Sequence, residues 1–96
     1  MLAYRRWVFE CDAPRDEFMR QMKRALVLEG VDVREAKFFD FGAEAWGARA
    51  FVKLAHDERG IEAVVKLKSG LFGSPSALEE AILAAGRAAQ ARFFRE

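Results

Sequence analysis

Two alternating runs around a four-residue polar turn constrain this chain more than any other feature. Ala50, Val52 and Leu54 alternate with charged or outward-facing neighbours, and Ile61, Ala63, Val65 and Leu67 do the same after Asp57-Glu58-Arg59-Gly60. A period of two is the strand period, and a polar turn closed by glycine joins two such runs as a hairpin. Setting His56 opposite Ile61 pairs Leu54 with Ala63, Val52 with Val65 and Ala50 with Leu67. That face is wholly apolar apart from His56 at its end, so it belongs under whatever covers the sheet, and a one-residue slip would turn it outward.

The rest of the chain supplies the cover. Strand one is expected over Leu2 to Glu10, with the heavier Trp7 and Phe9 face inward. Helix one is expected from Ala13 to Glu29. Phe18, Met22, Ala25 and Leu26, with Met19 at the flank, recur at three and four, and Arg20, Lys23 and Arg24 lie opposite. Asp16 and Glu17 suit its first turn, and Gly30 can end it. Strand two is read over Val31 to Phe41, a turn at Gly42 to Glu44, strand three over Trp46 to His56 and strand four over Ile61 to Lys68. Helix two starts at Ser74-Pro75, or two residues later if Ser76 and Glu79 form a capping box, and buries Leu78, Ala81, Ile82, Ala85, Ala89 and Phe93.

These elements imply one α+β domain over residues 1–96, ordered β-α-β-β-β-α. A mostly antiparallel four-stranded sheet of order 1-4-3-2 would carry both helices on one face. In element order and length this resembles a half-repeat of the TATA-binding protein fold and the related helix-grip folds. The resemblance implies an architecture and no activity.

The register also defines the helix-free face. Arg49, Phe51, Lys53 and Ala55 lie against Glu62, Val64, Lys66 and Lys68. Carried across the Gly42 turn, it pairs Phe41 with Trp46 and Phe39 with Ala48 on the core side. It places Phe38 beside Arg49, Ala36 beside Phe51 and Arg34 beside Lys53 on the open side. The same register drives Glu35 and Lys37 onto the core face, which fits an edge strand carrying inward charges against aggregation. The expected surface is Phe38, Phe51 and Val64 ringed by Arg34, Arg49, Lys53, Lys66 and Lys68. Asp32, Asp40 and Glu62 oppose them, for a local net of +2.

An apolar centre with a charged rim suits a protein partner, including a second copy. Aromatic and basic groups on a sheet also suit unpaired bases, each stacked base contributing about 1–3 kcal/mol. A third reading places a small hydrophobic ligand between sheet and last helix, although Ala84, Ala85, Ala88 and Ala89 favour close packing there.

Other features carry less chemistry. Gly70, Gly73 and Ser74 precede a helix and form a weak anion cradle without Walker spacing, and Pro75 removes a donor. Leu71 and Phe72 in that loop are expected to plug the core. His56 with Asp57 and Glu58 has no metal-ligand spacing, and Cys11 reads as a small buried residue ending strand one. Phe94 falls off the buried stripe of helix two. No Ser/His/Asp or Cys/His set is spaced for catalysis, so neither enzyme, cofactor nor metal is expected.

With 16 basic and 15 acidic side chains, bulk charge points to no nucleic acid or membrane. One cysteine and no run of about 18 apolar residues suggest a reducing, cytoplasmic setting without a membrane partner. The lack of Asn and Thr fits a heat-adapted source and equally a GC-rich genome.

Overall fold

The computed structural model describes residues 1–94. Its elements are β1 (Leu2–Glu10), α1 (Arg15–Leu28), β2 (Asp32–Arg34), β3 (Phe41–Ala45), β4 (Ala48–Asp57), β5 (Gly60–Ser69) and α2 (Pro75–Arg92). They form an α+β fold with one antiparallel sheet of order β1-β5-β4-β3-β2.

The β4–β5 hairpin has the expected register at every pair, from Ala50 opposite Leu67 to His56 opposite Ile61. Ala50, Val52, Leu54, Ile61, Ala63, Val65 and Leu67 are all buried. β1 pairs Trp7 with Ala63 and Phe9 with Ile61, so the Trp7 and Phe9 face is the inward one. Phe18, Met22 and Leu26 of α1 and Leu78, Ile82, Ala85 and Ala89 of α2 close over this face. Each large side chain sealed there contributes about 1.5–3 kcal/mol. Lys23 of α1 places its Nζ 5.6 Å from the ring centre of Phe41 on β3, so its charge stays at the helix margin over the core.

The sheet has five strands where the sequence implied four. The expected strand two is broken into β2 and β3, which form a hairpin of their own. The reason lies in the following turn. Trp46 (φ 53°) and Gly47 (φ 71°) both take the left-handed conformation, which makes a two-residue hairpin loop whose twist matches its strands. Glycine adopts this freely, whereas Gly42, the expected turn residue, lies inside β3. Phe41 therefore faces Val52, six residues beyond the expected Trp46. A slip by an even number preserves the faces, so Phe41 still points to the core, and Ala43, expected in the turn, joins it there. Glu35 and Lys37 are exposed in the loop before β3 rather than turned inward.

The fifth strand also reconciles the crossover with the pairing. Four antiparallel steps separate β1 from β2, so the two run in the same direction at opposite edges of the sheet. The inward charge expected on strand two appears instead on the other edge strand. Arg5 of β1 sits on the core side and reaches the sheet margin to pair with Glu79 of α2 at 3.0 Å.

α1 ends in a Schellman motif: the Val31 N–H donates to the Leu26 carbonyl and the Gly30 N–H to that of Val27, both at 3.0 Å, with Gly30 at φ 83°. α2 starts at Pro75 with Ser74 as its N-cap. Glu79 is held by Arg5, so the expected box with Ser76 is absent. Among the described residues, no helix is long and apolar enough to cross a membrane.

Candidate functional site

The helix-free face consists of cross-strand rows. The central row runs Arg34, Gly42, Phe51, Lys66, Tyr4 from β2 to β1. On one side lies Asp32, Glu44, Arg49, Lys68, Leu2. On the other lie Lys53, Val64, Arg6, then Ala55, Glu62, Val8, and finally Asp57, Gly60, Glu10 at the β4–β5 turn. Arg49, Phe51, Lys53, Val64, Lys66 and Lys68 thus share one face as expected.

Arg34 and Phe38 do not sit as expected. Arg34 faces Gly42, not Lys53. Phe38 is off the sheet, 83% exposed at φ 70°, with Lys37 Nζ 5.5 Å from its ring centre. Phe39 takes the place intended for it. The loop before β3 folds back over the open face, where the Phe39 and Phe51 rings stack tilted with centres 5.3 Å apart. Ala36 packs over Gly42, its Cβ 3.6 Å from where a Gly42 Cβ would stand, an ordinary contact distance. Phe39 is therefore not a core residue facing Ala48, and Phe51 is half-buried under it.

The charges are arranged rather than scattered. Glu44 holds Arg49 at 2.5 Å and Arg34 at 3.5 Å, and Glu62 lies 3.7 Å from Arg6. Lys53, Lys66 and Lys68 have no ion pair among the described residues. Asp40 has left this face, while Arg6, Glu10, Glu44 and Asp57 join it. Six bases then oppose five acids, and the local net is +1 rather than +2. The bases form a band across the middle, and Glu62, Asp57 and Glu10 lie toward the hairpin end. Asp57 is held below its ordinary aspartate range chiefly by the Arg59 backbone N–H, 2.9 Å from its carboxylate.

Tyr4, Arg6 and Val8 were absent from the expected site. The signal for them was available: once Trp7 and Phe9 point inward, the alternate residues of β1 must point outward.

The remaining candidates separate from this face. The Ser74 N–H donates to the Trp46 carbonyl at 2.8 Å and the Gly73 N–H to that of Gly70 at 3.3 Å, so neither is aimed at an anion. Leu71 and Phe72 do not plug the core; they project into solvent. His56 is exposed at its strand end, and Cys11 is buried with its thiol donating to the Phe9 carbonyl at 3.4 Å. Among the described residues, no group of three or more His, Cys, Asp or Glu could hold a metal. Phe94 is exposed beyond α2. α2 lies tight on β1: a Cβ at Gly86 would stand 2.3 Å from the Phe9 ring, which leaves no room for a ligand between them. An open groove of about 820 Å³ lies at the sheet end, lined by the Asp32, Glu44, Arg49, Lys68 and Leu2 row beside the Phe51 row.

The chain matches no family model, and no curated protein or solved structure is significantly similar to it.

Proposed function

We propose that this chain is a non-enzymatic assembly module whose open sheet face docks a protein partner, in the first place a second copy of itself. The observation that carries the reading is the charge order on that face. A basic band crosses its middle and three acids lie toward one end. Two copies packed face to face about a two-fold axis bring each band against the other's acidic end, a self-complementary contact of the kind closed dimers require. Val64 and the Phe39-capped Phe51 supply the apolar centre, and Lys66 stands between Phe51 and Tyr4.

Light scattering on the purified chain at moderate salt tests this. The expected mass is twice that of the chain. Lys66→Glu should shift it to monomer, and Lys66→Glu with Glu62→Lys should restore the dimer in part. A wild-type monomer at a few hundred micromolar overturns self-association.

A second reading, single-stranded nucleic acid, is favoured by the Tyr4–Lys66–Phe51 row, where a cation separates two rings. It predicts binding of short labelled strands that weakens steeply with salt and is lost in Tyr4→Ala. The net of +1 on the face counts against it.

A further inference from the structure

β1 is an edge strand, and its first residue fixes which backbone groups face that edge. The Met1 amino group donates to the Ser69 carbonyl at 2.9 Å, and the Ser69 N–H donates to the Met1 carbonyl at 3.1 Å. Along an antiparallel ladder, opposed residues alternate between such an exchange and none. Ala3, Arg5, Trp7 and Phe9 therefore bond β5, while Leu2, Tyr4, Arg6, Val8 and Glu10 turn their N–H and C=O groups to the free edge.

Two of the edge carbonyls are capped. Arg5 Nη1 donates to that of Tyr4 at 3.0 Å, and Gln90 Nε2 donates to that of Glu10 at 3.1 Å. Between these caps, the N–H and C=O of Arg6 and Val8 have no partner among the described residues. The open stretch is thus symmetric about Trp7, which is half-buried. α2 runs alongside: Glu79 pairs with Arg5, Gly86 packs on Phe9 and Gln90 reaches Glu10. Leu83, one turn on from Glu79, is half-buried on the same side. Glu80 and Arg87 flank it, both exposed and neither in an ion pair among the described residues.

We propose that this edge pairs antiparallel with β1 of a second copy, about a two-fold axis at Trp7. Arg6 of each copy then faces Val8 of the other, and all the uncapped groups of both residues bond across the axis. Trp7 meets Trp7 in the closer, non-bonded kind of pair, beside the two Leu83 side chains. The α2 helices lie antiparallel, so Glu80 of each copy approaches Arg87 of the other. Neighbouring registers fit less well. Centred on Arg6, the pairing sets the two Arg6 side chains against each other; centred on Val8, it sets Arg6 against Glu10, whose carbonyl Gln90 already occupies. The caps hold the contact to one short register, and β2 at the other edge has only 3 residues, so the assembly closes rather than propagates. The contact uses none of the open face and stands without it.

The test is made in Lys66→Glu, which takes the open face out of play. So few backbone bonds make a weak contact, so the variant is compared at about 20 µM and about 3 mM by NMR hydrogen exchange and light scattering. At the higher concentration the Arg6 and Val8 amides should exchange about threefold more slowly, and the mean mass should rise toward two chains. Adding Val8→Pro removes an outward N–H where an edge strand tolerates proline, and should abolish the rise in mass and the slowing at Arg6. Adding Arg87→Glu should weaken both effects, and Glu80→Arg with Arg87→Glu should restore them, which decides the case even if the proline variant unfolds. A Lys66→Glu dimer already at about 20 µM that Val8→Pro dissolves would support the edge contact and overturn the open-face one. The proposal is overturned if Arg6 and Val8 exchange at the same rate at both concentrations, or if the mass rises equally with Val8→Pro.

Discussion

Arg15 and Asp40 meet across the free edge of β4 and together replace a missing strand. β3 reaches only as far as Val52, so the next β4 residues lack a neighbour on that side. There the Leu54 N–H donates to an Asp40 carboxylate oxygen at 2.6 Å, while Arg15 Nε donates to the Leu54 carbonyl at 2.9 Å. The two side chains also pair with each other, and Arg15 holds Asp16 at 2.6 Å. The first residue of α1 is thereby tied to the loop that covers the open face.

Asp40→Ala should therefore destabilise the fold by about 1–3 kcal/mol, because it strands both a partly buried amide and a guanidinium. Urea unfolding measures this. Asp16→Ala, which removes only an exposed partner, should change stability by less than about 0.5 kcal/mol.

Phe51 and Phe38 should respond unequally to truncation. Phe51→Ala removes the stacking partner of Phe39 and a half-buried ring, at a cost of about 1–3 kcal/mol. Phe38→Ala removes an exposed loop ring and should fall within about 0.5 kcal/mol of the wild type. Equal losses in the two variants would refute the placement of Phe39 over Phe51.

Gly86→Ala would improve helix propensity by about 1 kcal/mol on an open helix. Here the new Cβ would stand against the Phe9 ring, which is buried between Trp7 and Phe18. Overpacking of this kind costs about 1–3 kcal/mol, so the net effect is expected to be destabilising. A scanning-calorimetry Tm at or above that of the wild type would contradict the contact.

The Asp57 carboxyl should titrate below 3.8, the ordinary aspartate value, in an NMR pH series. A lowered folded pKa means that the carboxylate's contribution to stability is fully present above 3.8 and is lost as pH falls through the folded value. The backbone N–H of Arg59 is the main cause, so Arg59→Ala should leave most of the lowering in place.

The legible part of this molecule was the part where alternation is clean. In β4 and β5 every inward residue from Ala50 to Leu54 and from Ile61 to Leu67 is apolar, and a slip of one would expose the whole set, so those residues alone determine their register and the surface they leave free. The Phe18, Met22 and Leu26 stripe and the Leu78, Ile82, Ala85 and Ala89 stripe likewise determine the two helices and their buried sides.

The segment from Val31 to Ala48 was decided by tertiary structure. Its alternation is interrupted by Glu35 and Lys37, and its turn rests on Trp46 and Gly47, of which only the glycine is an ordinary left-handed residue. Only packing could show that Ala36 nests over Gly42, that Phe39 rather than Phe38 meets Phe51, and that Asp40 leaves the open face to serve Leu54. The exposure of Leu71 and Phe72 was hidden for the same reason. An apolar pair in a loop reads as a core plug until the fold shows that Leu78, Ile82 and Leu67 already fill the core and leave the pair no space.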